Sequence, residues 1–157
     1  MKIAVGADGK GRELKDHLCR HLERKGCKVV DFSPGSDAED YPDVALAVAL
    51  AVSEGRFERA VLVCGTGLGM AIVANKVVGV RAASVSDPYS AERARKSNDA
   101  QVLCLGSLVV GAAVGELLVD HWLASEFQGG SSAPKVERIN EIDATLRADG
   151  GVPAADA

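Results

Sequence analysis

The chain has 157 residues, 47% of them apolar and only 4% aromatic, with a formal net charge of −4. That length suits one domain able to bury roughly 70% of the surface its unfolded chain exposes, with a core built from Ala, Val, Leu and Ile. Lys and Arg are scattered, which argues against a nucleic-acid surface, and no apolar run approaches the roughly eighteen residues a membrane helix needs.

A β-branched run at residues 2–7 predicts the first strand. A helix follows over 13–25, with Leu14, Leu18 and Leu22 at four-residue spacing and charges between them. Gly26 stands where that helix should end. The second strand is expected over 28–32. The next helix, 43–54, has Pro42 at its start, where a missing N–H costs little, and Gly55 at its end. Strands at 60–64, 80–85 and 101–105 then alternate with helices at 68–77, 91–96 and 111–125. None of the strands alternates polar and apolar residues cleanly, as expected where both faces are covered. A Gly-Gly-Ser-Ser-Ala-Pro break spans 129–134, and a last helix is expected over 135–146. Ile139, Ile142 and Leu146 form an apolar stripe on it.

Five β–α units with right-handed crossovers imply a three-layer α/β/α fold around a five-stranded parallel sheet. A flavodoxin-like strand order is expected, with ligands at the carboxyl ends of the strands. Residues 1–127 form the α/β domain. Residues 128–148 form a C-terminal helical arm that packs on a partner subunit, and 149–157 a frayed tail.

The chemistry concentrates in Val61-Leu62-Val63-Cys64-Gly65-Thr66-Gly67-Leu68-Gly69-Met70. Alternate glycines let backbone N–H groups turn toward one point and let a ligand approach the main chain. Such a loop, opening a helix, stabilises an anion. Two other readings are a plain tight turn and a dinucleotide fingerprint, for which Asp87 would be the acidic partner. The spacing G-x-G-x-G misplaces the third glycine of that fingerprint, and this is not the first strand. Cys64 ends the strand just before the loop, where a thiolate is favoured. The other cysteines (Cys19 on a helix, Cys27 opening a strand, Cys104 within one) read as structural. Thiols without C-x-x-C pairing or metal-ligand spacing, and an N-terminus without a leader pattern, predict a reducing cytoplasm.

The run from Cys64 to Met70, with Ala74-Asn75-Lys76-Val77 and Gly79-Val80-Arg81-Ala82-Ala83, resembles the ribose-5-phosphate isomerase B / galactose-6-phosphate isomerase family. The likeness includes Asp40-Tyr41-Pro42-Asp43, Ser97-Asn98-Asp99-Ala100 and Glu126-Phe127-Gln128-Gly129-Gly130, and spans the chain to about residue 145. It implies aldose–ketose isomerisation of a sugar phosphate through a cis-enediolate, without metal or organic cofactor. It also implies a homodimer, or a dimer of dimers, with active sites shared between subunits and no nucleic-acid or membrane partner. Carried over residue by residue, it makes Cys64 the base, with Thr66 beside it as the second catalytic residue. Gly65, Gly67, Leu68 and Gly69 hold the enediolate oxygens, while Asp8, Gly9, Tyr41, Ser97 and Asn98 contact the sugar. Ser131 and Lys135 take the phosphate. Some members carry a Glu base at the position of Met70; this chain is of the cysteine type.

Several family residues are replaced. Asp-His-Ala-Gly reads Asp8-Gly9-Lys10-Gly11; the His before Asn98 is Ser97; an Arg is Leu108; and a basic cluster is reduced to Ser131, Ser132 and Lys135, with Lys10 a second candidate for the phosphate. His17, His21 and His121 fall in helix interiors and read as structural. A ring-opening acid is needed only by a substrate that closes into a ring, and a tetrose esterified on O4 cannot form a furanose. The loss at Ser97 therefore favours erythrose/erythrulose 4-phosphate, the Ser-Asn-Asp-Ala-Gln run resembling the erythrulose-4-phosphate isomerase branch. Ribose/ribulose 5-phosphate is the second candidate. The alternatives from other classes are a catalytically idle sugar-phosphate-binding subunit or sensor, and a nucleotide-binding module.

Overall fold

The computed structural model describes residues 1–33 and 40–148; the tail expected at 149–157 lies outside them. Its elements in chain order are β1 (Lys2–Ala7), α1 (Arg12–Arg24), β2 (Lys28–Asp31), α2 (Tyr41–Ser53), β3 (Arg59–Cys64) and α3 (Leu68–Ala74). They continue with β4 (Ala82–Ser84), α4 (Pro88–Lys96), β5 (Val102–Gly106), α5 (Ala112–Leu123), a 3₁₀ turn (Gly130–Ser132) and α6 (Ala133–Ala148).

The strands pair in parallel in the order β2-β1-β3-β5-β4. The three-layer class and the C-terminal helix are as expected. The order of the last two strands is a correction, because a flavodoxin sheet runs 2-1-3-4-5. Burial explains the exchange: β5 is buried at every residue, whereas Ala82-Ala83-Ser84 is half-covered and suits an edge. Placing β5 outermost would leave Val102, Leu103 and Leu105 in water.

Successive strand residues face opposite layers. Ile3, Val5, Val61, Val63, Leu103 and Leu105 pack with Leu14, Leu18, Leu22 and Trp122 on the layer of α1, α4 and α5. Ala4, Leu62, Cys64 and Cys104 pack with Val44, Val48, Ala49, Met70 and Ala74 on the layer of α2 and α3. The alternation that buries Leu62 among α2 and α3 therefore turns the Cys64 side chain to the same layer.

Three boundaries differ from expectation for local reasons. α3 stops at Ala74 because Asn75 turns its amide to the Ala71 and Ala82 carbonyls and accepts the Ala82 N–H, mimicking a strand neighbour. β4 starts only at Ala82, since the Arg81 N–H is taken by the Gln101 side chain. α4 starts three residues early because Asp87 caps it, its Oδ1 accepting the Ser90 N–H at 2.8 Å, with Pro88 in the first turn. Asp87 is thus engaged as a helix cap, which removes the acidic partner of the dinucleotide reading.

Two of the three histidines join α1 to α5: His17 Nε2 lies 2.8 Å from Glu116 Oε1 and His21 Nε2 2.7 Å from Asp120 Oδ1. Among the described residues no helix is long and apolar enough to cross a membrane.

Candidate active site

From β1 the chain moves one way across the sheet to β2 and the other way to β3, so the carboxyl ends of β1 and β3 flank a topological switch point. A cleft of about 270 Å³ opens there, lined by Asp8, Lys10, Tyr41, Cys64, Gly65, Thr66, Gly69 and Leu108. A neighbouring hollow of about 390 Å³ shares Lys10 and Leu108 as its wall and is otherwise lined by residues of α1, Arg20 and His17 among them, and of the segment that leads from β5 into α5.

Cys64 is 4% exposed: it packs in the apolar layer of α2 and α3 and is also one of the residues lining the cleft. The Gly67 N–H donates to Sγ at 3.1 Å. That donor exists because Gly67 adopts φ +78°, a left-handed conformation that folds the loop back over the strand end. A Cβ on Gly67 would also lie 3.0 Å from the Leu105 carbonyl carbon and from Ser84 Oγ. Position 69 is glycine for a different reason: the Tyr41 ring lies against it, and a Cβ would meet ring atom Cε2 at 2.5 Å. Tyr41, at the first turn of α2, thereby forms one wall of the cleft. The first turn of α3 follows, with N–H groups that have no carbonyl behind them within the helix.

Asp8 holds the other wall. Its Oδ1 accepts the Gly11 N–H at 2.8 Å, fixing the β1–α1 turn and leaving the second carboxylate oxygen for a ligand. The segment after β5 braces the floor: the Ser107 N–H donates to the Cys64 carbonyl (2.9 Å), the Leu108 N–H to the Gly65 carbonyl (3.0 Å), and Ser107 Oγ to the Lys10 carbonyl (2.8 Å). Sequence reading gave Ser107 no role. Its signal, a small polar residue just past a buried strand, is too common to single out.

Cys19, Cys27 and Cys104 do not line the cleft. Burial pushes the Cys19 thiol up to about 11, its neighbouring charges making smaller contributions. Burial likewise pushes Cys104 far up, with Cys64 as a second cause.

The residues singled out from sequence fall into two groups. Asp8, Tyr41, Cys64, Gly65, Thr66 and Gly69 meet in the cleft, with Gly67 behind the sulfur and Leu68, 59% exposed, at its outer edge. Gly9 is exposed on the adjoining turn. Ser97 and Asn98 do not join them: they lie between α4 and β5, at the amino ends of the strands. With Val102 opposite Ala60, they are separated from Cys64 by at least about 13 Å of sheet. Ser131 and Lys135 are exposed on the 3₁₀ turn and α6. The segment leading to them is held at that same edge by Gln128 N–H on the Lys96 carbonyl. Of the two lysines considered for the phosphate, only Lys10 lines the cleft of its own chain.

Comparison with known proteins agrees with this architecture. Residues 3–139 match the family model described as Ribose/Galactose Isomerase. A D-erythrulose-4-phosphate isomerase of Pectobacterium atrosepticum is 50% identical over 88% of this chain and 93% of its own length. A ribose-5-P isomerase B of Listeria innocua is 49% identical over 91% of this chain and 97% of its own. The solved structure of Clostridium thermocellum ribose-5-phosphate isomerase B superposes with a TM-score of 0.90 at 44% identity, covering 93% of this chain and 99% of that one. With its sheet and nearly its whole length accounted for in this way, the chain belongs to the ribose/galactose isomerase family of sugar-phosphate isomerases.

Proposed function

We propose that the protein interconverts a phosphorylated aldose and ketose, with Cys64 as the base that moves the proton between C1 and C2. The observation that carries this reading is Cys64 in the lining of the cleft, its sulfur 3.1 Å from the Gly67 amide. Removing a proton beside a carbonyl needs a base next to donors for the growing oxyanion. The thiolate takes the proton from one carbon, the electron pair forms the enediolate C=C, and the carbonyl oxygen becomes an oxyanion. Loop amides and the Thr66 hydroxyl donate to that oxygen. Returning the proton to the other carbon, with transfer of the hydroxyl proton between oxygens, completes the isomerisation without net oxidation. Asp8 accepts from a sugar hydroxyl, and Tyr41 packs against the carbon chain.

Lys10 takes the anionic end of the substrate, where the two hollows meet beside Leu108. Ser97, Asn98, Ser131 and Lys135 reach a cleft only as residues of a second copy, and the functional unit in this reading is a homodimer with shared sites. The arm at 128–148 is the segment that packs on that partner. Relatives at near-equal identity are named for erythrulose 4-phosphate and for ribose 5-phosphate. The choice therefore rests on Ser97, which supplies no ring-opening acid and favours the open-chain tetrose ester.

Isomerase assays on both substrate pairs, with proton exchange from deuterated water into the substrate, test this. Cys64→Ala should lose isomerisation and exchange by at least about 10³-fold while keeping its circular dichroism. Retained exchange in that variant would end the role of Cys64, and faster turnover of the pentose ester would end the tetrose assignment.

A further inference from the structure

Asp99 is the one non-glycine residue with positive φ (+49°) among the described residues. It sits directly after Asn98, an exposed residue on the turn between α4 and β5. Strained backbone persists where the surroundings over-determine it, and here they do. Arg81 Nε donates to the carbonyls of Asn98 (3.0 Å) and Asp99 (3.2 Å), and Nη2 to the Asp99 carbonyl (3.0 Å) and carboxylate (2.9 Å). Arg95 Nη1 holds the other Asp99 oxygen at 2.8 Å. The Arg81 side chain is only 14% exposed, and its remaining Nη1 donates to Asn140 Oδ1 of α6 at 2.8 Å. One planar guanidinium thus ties the turn to the C-terminal helix, and a lysine, with a single ammonium, could not span these acceptors.

We infer that Arg81 is a positioning residue: it fixes the turn so that Asn98 is presented outward, ready to enter the cleft of a second copy. The inference rests on the shared-site reading above and adds the device that aims the residue. Asn98 cannot act on its own Cys64 across the sheet, so rigidity at this tip serves a site on another chain. A tip displaced by about 1 Å would lower the rate roughly 100-fold, as misplacement of substrate-orienting groups does.

The test is complementation in mixed oligomers. Arg81→Ala should lose activity roughly 10- to 100-fold, and the double variant with Asn98→Ala should be no worse than Asn98→Ala alone, because one acts through the other. When Arg81→Ala chains are unfolded and refolded with Cys64→Ala chains, activity should rise well above either parent. Each mixed dimer then holds one native site, an intact Cys64 facing an intact Asn98 turn. Asn98→Ala refolded with Cys64→Ala is the control. Recovery in the control but not with Arg81→Ala, or additive losses in the double variant, would overturn the role of Arg81 alone. No recovery in the control would overturn the shared site and Arg81 together. Should Arg81→Ala fail to fold, Arg81→Lys takes its place in both measurements with the same outcomes expected.

Discussion

At the scale of single residues, the cation that lines the cleft is a lysine, Lys10, and in the proposed reading it takes the anionic end of the substrate. A guanidinium grips phosphate through two parallel bonds, whereas an ammonium acts as a point charge on a flexible stem. Lys10 lies beside Leu108 over Gly65, each within 3.5 Å of where a Gly65 Cβ would stand. Its loss should therefore act on binding more than on chemistry. Lys10→Met is expected to raise KM for the phosphorylated substrate roughly 10-fold with kcat nearly unchanged, and an unchanged KM in steady-state assays would move the anionic end elsewhere. Cys64 and Lys10 show unequal legibility. The cysteine stood out because a strand end followed by alternating glycines is a local pattern. The lysine could be separated from Lys135 only by seeing which of them faces the cleft.

At the scale of elements, α1 and α5 are joined by charge. Glu116 accepts from Arg24 and lies 2.8 and 3.2 Å from ring nitrogens of His17 and His21, while Asp120 accepts from Lys25 and lies 2.7 Å from His21 Nε2. Burial works against ionisation of Asp120, but hydrogen bonds from Lys25 and His21 outweigh it and hold the carboxyl below its ordinary value. Burial also opposes Asp31, and the bonds from Lys15 and Ser33 again prevail. Carboxylates held low in the folded state add stability above their unfolded value, and that stability is lost as pH falls through the folded one. Urea unfolding should therefore show stability level near neutrality and falling below about pH 4. Asp120→Asn should cost about 1 kcal/mol at pH 7 and flatten that acid slope. A slope identical to the parent protein would show that the α1–α5 pairs contribute nothing. Helix α1 itself was plain in the sequence from Leu14, Leu18 and Leu22. Its ion pairs with α5 were not, because they join positions as far as 99 residues apart.

At the scale of the whole molecule, α2 and α3 leave an apolar face in water. Leu46 and Leu50 lie one turn apart on α2, as do Leu68 and Ile72 on α3, and all four are 42–62% exposed. The face begins at the edge of the cleft, at Leu68, so a second copy seated on it would adjoin the site. Ile72→Asp should lower the oligomeric mass seen by light scattering and cut activity at least about 10-fold, since a charge buried without a partner is costly. A variant that keeps both its mass and its activity would place the interface elsewhere.

The sequence by itself determined the alternation of strands and helices, the α/β class and the Cys64–glycine loop, because apolar periodicity, helix-ending glycines and strand-end motifs are carried by near neighbours in the chain. Tertiary structure alone decided that β5 lies inside β4, that Asp8, Tyr41 and Cys64 converge while Ser97 and Asn98 stand at the opposite edge, and that Arg81 grips the Asn98 turn. Those outcomes depend on which distant segments the sheet brings side by side. Burial of the most apolar strand, acting over the whole chain at once, makes that choice.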